Sequence, residues 1–277
     1  MYVTRGFIKT HLRKRLIISH KGQNGRVLVV GGSRLYFGSP VLVSLAAFRT
    51  GADLVYLLTP EYISKSIASQ HPDLIVWGYG GEYLNENALP VFEELRNKTD
   101  AMIIGNGLTK QPSVLKVASE LIKKWNKSLV VDADCIQPDL KTSSKQILYT
   151  PHAAEFSRLT GVKTPSNMRD KIKLIEKTAR ELSATILLKG VPDIISDGDK
   201  LMFNNIHNAG MTVGGTGDTL AGIACALLSQ KHTPFESACI AAYINGAAGN
   251  LAMRKYGYSL IASDLINEVP SIMKQFQ

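Results

Sequence analysis

Short runs of apolar, β-branched residues recur along this chain, separated by longer stretches with helical spacing. Residues 26–32 (RVLVVGG) read as a strand that turns into a glycine loop. Comparable runs follow at 53–59, 74–78, 101–105, 128–132, 146–150 and 185–190. Most are continuous rather than alternating, which predicts strands covered on both faces and therefore a mostly parallel sheet between helical layers. Residues 113–126 and 169–183 carry helix periodicity. Residues 40–52 predict a helix with Pro40 at its first position and Gly51 as its stop. Asp193 to Phe203 reads as a late hairpin, with Asp197-Gly198 as its turn. Residues 219–230 are apolar nearly all round and predict a buried helix. No linker, repeat or composition break interrupts the pattern, so residues 1–277 read as a single α/β domain.

Composition narrows the function classes. With 45% hydrophobic and 20% charged residues over 277 positions, the chain belongs with globular proteins. Its net charge is +9, but the basic residues are dispersed apart from a cluster at Arg13-Lys14-Arg15. No zinc-finger spacing and no basic stripe with interleaved aromatics is present, so the expectation is no nucleic-acid partner. A polyanionic small molecule or a solvated basic surface accounts better for the charge. No apolar run reaches the ~18 residues that would span a bilayer, and the charged N-terminus does not resemble a secretory signal. The expectation is a cytoplasmic protein with no membrane association. Cys135, Cys225 and Cys239 lack paired spacing and read as reduced core thiols.

In open α/β sheets, ligands gather beyond the carboxyl ends of the strands. Five polar or glycine-rich segments fall there at once: Gly31-Gly32, Gly105-Asn106-Gly107, Asp132-Ala133-Asp134, Thr150-Pro151-His152 and Lys189-Gly190. Just before the buried helix lies Gly214-Gly215-Thr216-Gly217-Asp218. No Lys follows these glycines as in the common phosphate loop, and Leu220 stands where a dinucleotide fingerprint needs glycine. The segment reads as a helix N-terminus, where unpaired N–H groups and the helix dipole favour an anion. Asp218 there suits either a dipole-stabilising residue or a general base that takes a proton from a hydroxyl while the amides hold a phosphoryl group.

Taken in order, the motifs resemble a known family. The stretch from Asn208 to Gly222 is similar to the signature of the ADP/ATP-dependent NAD(P)H-hydrate dehydratases of the ribokinase-like superfamily. The likeness continues through Val29 to Ser33, Tyr36 to Pro40, Phe48 to Val55, Ile104 to Leu108, Val131 to Asp134, Thr150 to Phe156 and Leu188 to Gly190. It implies a ribokinase-like three-layer α/β/α sandwich around a mostly parallel sheet. It also implies repair of nicotinamide cofactors hydrated across a ring double bond, NADHX and NADPHX, at the expense of ADP or ATP with Mg²⁺. By resemblance Asp218 is the base and Gly215, Thr216 and Gly217 surround the phosphate. Lys189, Gly190, Val191, Pro192 and Asp193 line the nucleotide. Ser39, Gly105, Gly107 and His152 meet the hydrate together with Asp218, and Glu155 orders Mg²⁺ through water.

Plainer roles stand beside these. His152 suits a loop hydrogen bond, Lys189 a side chain snorkelling at the sheet's rim, Asp132 and Asp134 a turn cap, and Glu155 a helix start. A ribokinase-like small-molecule kinase, of the hydroxymethylpyrimidine or hydroxyethylthiazole type, would share the loop and the base. The chain also departs from the family pattern: Asn106 and Ala209 replace proline, Ser39 replaces alanine, and Asp193 replaces a hydroxyl residue. The resemblance further implies a homo-oligomer. Any epimerase partner is expected on a separate chain, because few residues precede the first motif.

Overall fold

The computed structural model describes all 277 residues. In chain order the elements are α1 (Arg5–His11), β1 (Arg26–Val30), α2 (Gly38–Arg49), β2 (Leu54–Pro60), α3 (Glu61–Gln70), β3 (Ile75–Tyr79), α4 (Ala88–Lys98), β4 (Ala101–Ile104), α5 (Pro112–Lys124) and β5 (Ser128–Val131). They continue as β6 (Ile147–Tyr149), α6 (Ala153–Thr160), α7 (Met168–Leu182), β7 (Thr185–Leu188), β8 (Asp193–Ser196), β9 (Leu201–Asn204), α8 (Thr216–Ser229), α9 (Pro234–Tyr256) and α10 (Ala262–Met273). One nine-stranded sheet runs β3-β2-β1-β4-β5-β6-β7-β8-β9. Neighbours from β3 to β7 are parallel, and β8 and β9 return antiparallel as the expected hairpin.

Strand β1 shows why the apolar runs are continuous. Val27 and Val29 enter a core of 43 buried residues shared with α2, α8, α9 and α10. Leu28 and Val30 enter a separate core of 31 residues under α4, α5, α6 and α7. Successive side chains point to opposite faces, and both faces are covered, so neither position tolerates a polar residue. Each fully buried Val or Leu contributes about 1.5–3 kcal/mol through removal from water. The three layers and the parallel sheet are those the sequence implies.

Helix α8 lies against the centre of the sheet and is buried from Thr219 through Ser229. Helix α2 starts two residues earlier than Pro40 suggests, at Gly38, which puts Ser39 in its first turn. At the far edge, residues 1–3 lie alongside β9: Tyr2 forms a parallel bridge with Phe203, and Val3 donates its N–H to the Phe203 carbonyl at 2.8 Å.

Candidate active site

Strands β1, β4, β5, β6 and β7 end at Val30, Ile104, Val131, Tyr149 and Leu188, so all five polar segments emerge on one rim. The backbone N–H of Lys189 donates to the Pro151 carbonyl at 2.8 Å, joining two of these segments directly. The start of α8 reaches the same rim. Its N-cap, Gly215, has φ +95°, a conformation that glycine adopts without strain. An added Cβ there would come within 2.6 Å of the Leu42 Cδ1 atom, so the space is closed as well. The first intrahelical bond beyond this cap runs from the Thr219 N–H to the Gly215 carbonyl. The N–H groups of Thr216, Gly217 and Asp218 therefore precede the first full turn, as an anion cradle requires.

Lys189 does not snorkel to solvent. Its ammonium donates to Asp132 Oδ1 at 3.1 Å, lies 3.8 Å from Glu155 Oε2, and would be 3.4 Å from a Cβ placed on Gly217. A cation thus stands over the first turn of α8. Asp132 is 2% exposed and accepts from Lys189, from Thr150 Oγ1 at 2.8 Å and from Asn106 Nδ2 at 2.8 Å. Although it precedes a short 3-10 turn, it makes no side-chain capping bond there. Asp134 does serve the backbone, accepting the Thr109 N–H at 3.0 Å.

Asp218 accepts a 2.7 Å bond from Asn106 Nδ2 on its Oδ1. Burial and the nearby charge of Asp132 push its carboxyl up to about 6, while Asn106, Ser39 and Lys189 pull in the other direction. A carboxylate with that acidity is largely ionised at neutral pH and much more basic than an exposed aspartate, which suits proton abstraction.

His152 and Glu155 form a reciprocal cap on α6. His152 Nδ1 accepts from the N–H groups of Ala154 and Glu155, and Glu155 Oε2 accepts from the His152 N–H at 2.8 Å. Their plainer roles are therefore filled, and His152 keeps an exposed edge. Asp193 likewise has a structural use: it accepts from the Gly190 N–H at 2.9 Å and from Asn204 Nδ2 at 2.9 Å, folding the 190–193 loop. Buried in that loop, its carboxyl is raised above the ordinary range. Asn106 is the functional candidate that motif reasoning passed over. Its only sequence signal is a polar residue placed between two glycines at a strand end.

Two cavities flank the start of α8. One, of ≈ 280 Å³, is lined by Lys189, Gly190, Val191, Asp193, Thr216 and Gly217 among others. The second, of ≈ 520 Å³, includes Ser39, Gly107 and Tyr36. Gly107 opens onto this space, whereas Gly105 is buried against the backbone of Asp132. Asp218 lines neither, but it follows Gly217 of the first in sequence and faces Asn106 and Ser39, the latter a lining residue of the second. A further cavity of ≈ 630 Å³ lies at the opposite end of the strands beside Arg13, Lys14 and Arg26 and shares none of these groups. No three His, Cys, Asp or Glu side chains gather into a metal cage.

Comparison with known proteins gives a consistent picture. The family model for NAD(P)H-hydrate dehydratase matches residues 27–271. An ADP-dependent (S)-NAD(P)H-hydrate dehydratase from Cenarchaeum symbiosum is 40% identical over 262 residues, covering 93% of this chain and 91% of the relative. A bifunctional NAD(P)H-hydrate repair enzyme from Archaeoglobus fulgidus is 43% identical over 257 residues; the match covers 93% of this chain but 52% of the relative, so the chain spans about half the length of such proteins. Among solved structures, an ADP/ATP-dependent NAD(P)H-hydrate dehydratase from Bacillus subtilis, co-crystallised with ATP and Mg²⁺, superimposes with a TM-score of 0.86 at 26% identity, covering 100% of this chain and 98% of that one.

Proposed function

The chain belongs to the NAD(P)H-hydrate dehydratase family, and from that membership we propose that it uses ADP or ATP to dehydrate (6S)-NADHX and (6S)-NADPHX to NADH and NADPH. The observation that carries this reading is the position of Asp218. A carboxylate raised to about 6 follows Gly217, which lines a cavity under the Lys189 ammonium, and faces Ser39, which lines a second cavity.

The nucleotide occupies the Lys189 side, with its terminal phosphate against the Gly217 amide and the Lys189 ammonium. The hydrate occupies the Ser39 and Gly107 side, with the His152 edge nearby. Asp218 takes the proton of the hydrate hydroxyl as that oxygen bonds to the terminal phosphorus. The bond from phosphorus to the bridging oxygen breaks, and its electron pair leaves with the shortened nucleotide. Phosphate then departs from the ring carbon with the C–O bonding pair, a proton leaves the adjacent carbon, and the C–H bonding pair becomes the restored double bond. Hydroxide is a poor leaving group and phosphate a good one, which is why a nucleotide is consumed. Mg²⁺, when bound with the nucleotide, neutralises phosphate charge, and Glu155 is the residue placed to order it through water. We assign the protein to the cytoplasm as a homo-oligomer, as the family resemblance implies.

Hydrated NADH supplied with ADP or ATP and Mg²⁺ tests this. Recovery of reduced-nicotinamide absorbance together with stoichiometric free phosphate is expected. A phosphorylated product that accumulates without recovered absorbance would instead favour the small-molecule kinase reading, and no nucleotide consumption would remove both.

A further inference from the structure

We infer that Asn106 is a positioning residue for the base: its amide clamps Asp218 Oδ1 to the fixed carboxylate of Asp132 and leaves Asp218 Oδ2 as the oxygen that meets the substrate hydroxyl. This deepens the dehydratase reading and rests on it for the identity of the hydroxyl, but not for the clamp itself.

Both acceptors lie on one nitrogen. Asn106 Nδ2 is 2.8 Å from Asp132 Oδ2 and 2.7 Å from Asp218 Oδ1, so its two N–H bonds each reach a different carboxylate. The opposite amide orientation would set a carbonyl oxygen against two anionic oxygens, which fixes the assignment on electrostatic grounds. The residue is 1% exposed, and its Oδ1 is buried without a partner. The backbone holds the residue as firmly. Its carbonyl accepts the Gly32 N–H at 2.9 Å, and the flanking Gly105 and Gly107 have φ of +128° and +74°, which bend the chain so that residue 106 points inward.

The two carboxylates differ in what surrounds them. Asp132 takes three donors, from Asn106, Thr150 and Lys189, and is immobile. Asp218 has fewer donors, the Asn106 amide on Oδ1 and the Ser39 hydroxyl beside it. The charged groups facing Asp218 are Asp132 from the end of β5 and Lys189 from the end of β7, with the Ser39 hydroxyl approaching from α2. In this arrangement Asn106 spreads one dipole over two like charges and holds Asp218 in place beside the fixed Asp132.

The test compares wild type with Asn106→Ala and Asn106→Ser. The ¹³C signal of the Asp218 carboxyl, assigned by its loss in Asp218→Asn, is followed against pH without substrate. Its midpoint is expected to rise in Asn106→Ala and to rise less in Asn106→Ser, which keeps one hydroxyl donor. In turnover, Asn106→Ala is expected to lose about twofold to tenfold in kcat/KM at neutral pH, because losing one charge-assisted donor raises the midpoint to about 7–8, and to recover most of it in alkali. Nucleotide affinity is expected to stay within a few-fold. An unmoved carboxyl midpoint in both variants would overturn the clamp, as would a turnover profile lowered equally at every pH. If Asn106→Ala does not fold, the serine variant decides alone. If the carboxyl shifts as expected while hydrated NADH is not a substrate, the clamp stands and the dehydratase reading falls.

Discussion

Asp53 and Asp218 sit at opposite ends of the same sheet, both largely out of water, and their surroundings move them in opposite directions. Asp53, beside the amino-terminal end of β2, is 5% exposed. It accepts the N–H groups of Gly22 at 2.8 Å and Asn24 at 3.0 Å, and it pairs with Arg15. Burial pushes its carboxyl up, but the donors of Asn24 and Gly22 and the Arg15 charge outweigh it and hold it below the ordinary value. Asp218 has side-chain donors in Asn106 and Ser39 but no backbone donor, and with burial and the like charge of Asp132 it ends raised to about 6. A carboxylate surrounded by donors ties a loop down. One that is left short of donors stays ready to accept a proton.

The largest consequence of that contrast is expected from Asp218→Asn. Turnover should fall by about 10²–10⁴-fold, while nucleotide binding measured by calorimetry changes only a few-fold, because amides and Lys189 hold the phosphate. Stability should move the other way. A folded pKa above the unfolded one means that ionised Asp218 opposes folding as pH rises from the ordinary carboxylate range through about 6. The variant should therefore melt a few degrees higher than wild type at pH 8, with the gap closing below pH 5. Retained turnover would place the base elsewhere, and an unchanged melting point would mean the site is not strained by charge.

Gly217→Val should come next, with kcat/KM lowered about a hundredfold and nucleotide affinity weakened along with it. A Cβ there already lies 3.4 Å from the Lys189 ammonium, and the added methyls would fill the phosphate's place. Unaltered kinetics would reduce the glycine cluster to a helix cap.

Asp53→Asn completes the comparison with the smallest effect on chemistry. It should cost about 1–3 kcal/mol of stability at neutral pH with kcat/KM unchanged. Since the folded pKa is depressed, that stabilisation is fully present above the ordinary carboxylate range and is lost as pH falls through the lower folded value. Denaturant titrations at pH 7 and in strong acid should show the deficit shrinking, and a loss of activity at pH 7 would show that the two ends of the sheet are coupled.

Much of this architecture is legible in the residues. Continuous runs such as Val27 to Val30 predict a sheet covered on both faces, and Asp197-Gly198 marks the hairpin. The glycines before Asp218 place a helix N-terminus at the rim, and Lys189 falls on it by strand counting. What resists reading has physical causes. Pro40 suits a first helical position, but α2 starts at Gly38 because Phe37 already adopts helical angles. Helix α9 extends over 23 residues, and its core-facing stripe is hidden among small apolar residues that give little periodicity. His152 and Glu155 sit in a motif that suggests chemistry, and the cap they form gives each a structural use that the motif alone does not reveal. Asn106 is the opposite case. Its partners lie 26 and 112 positions away, so only the folded sheet brings them to one nitrogen.

The pairing of residues 1–3 with β9 has a consequence for how this molecule behaves among copies of itself. A terminal strand presents bare N–H and C=O groups that other chains can extend into a growing aggregate. Here Phe203 accepts from the Val3 N–H and donates to the Met1 carbonyl at 3.0 Å, so the middle of that edge is already spoken for. The first three residues thus act as a stopper on the sheet, and the protein's solubility depends in part on a segment far from any catalytic group.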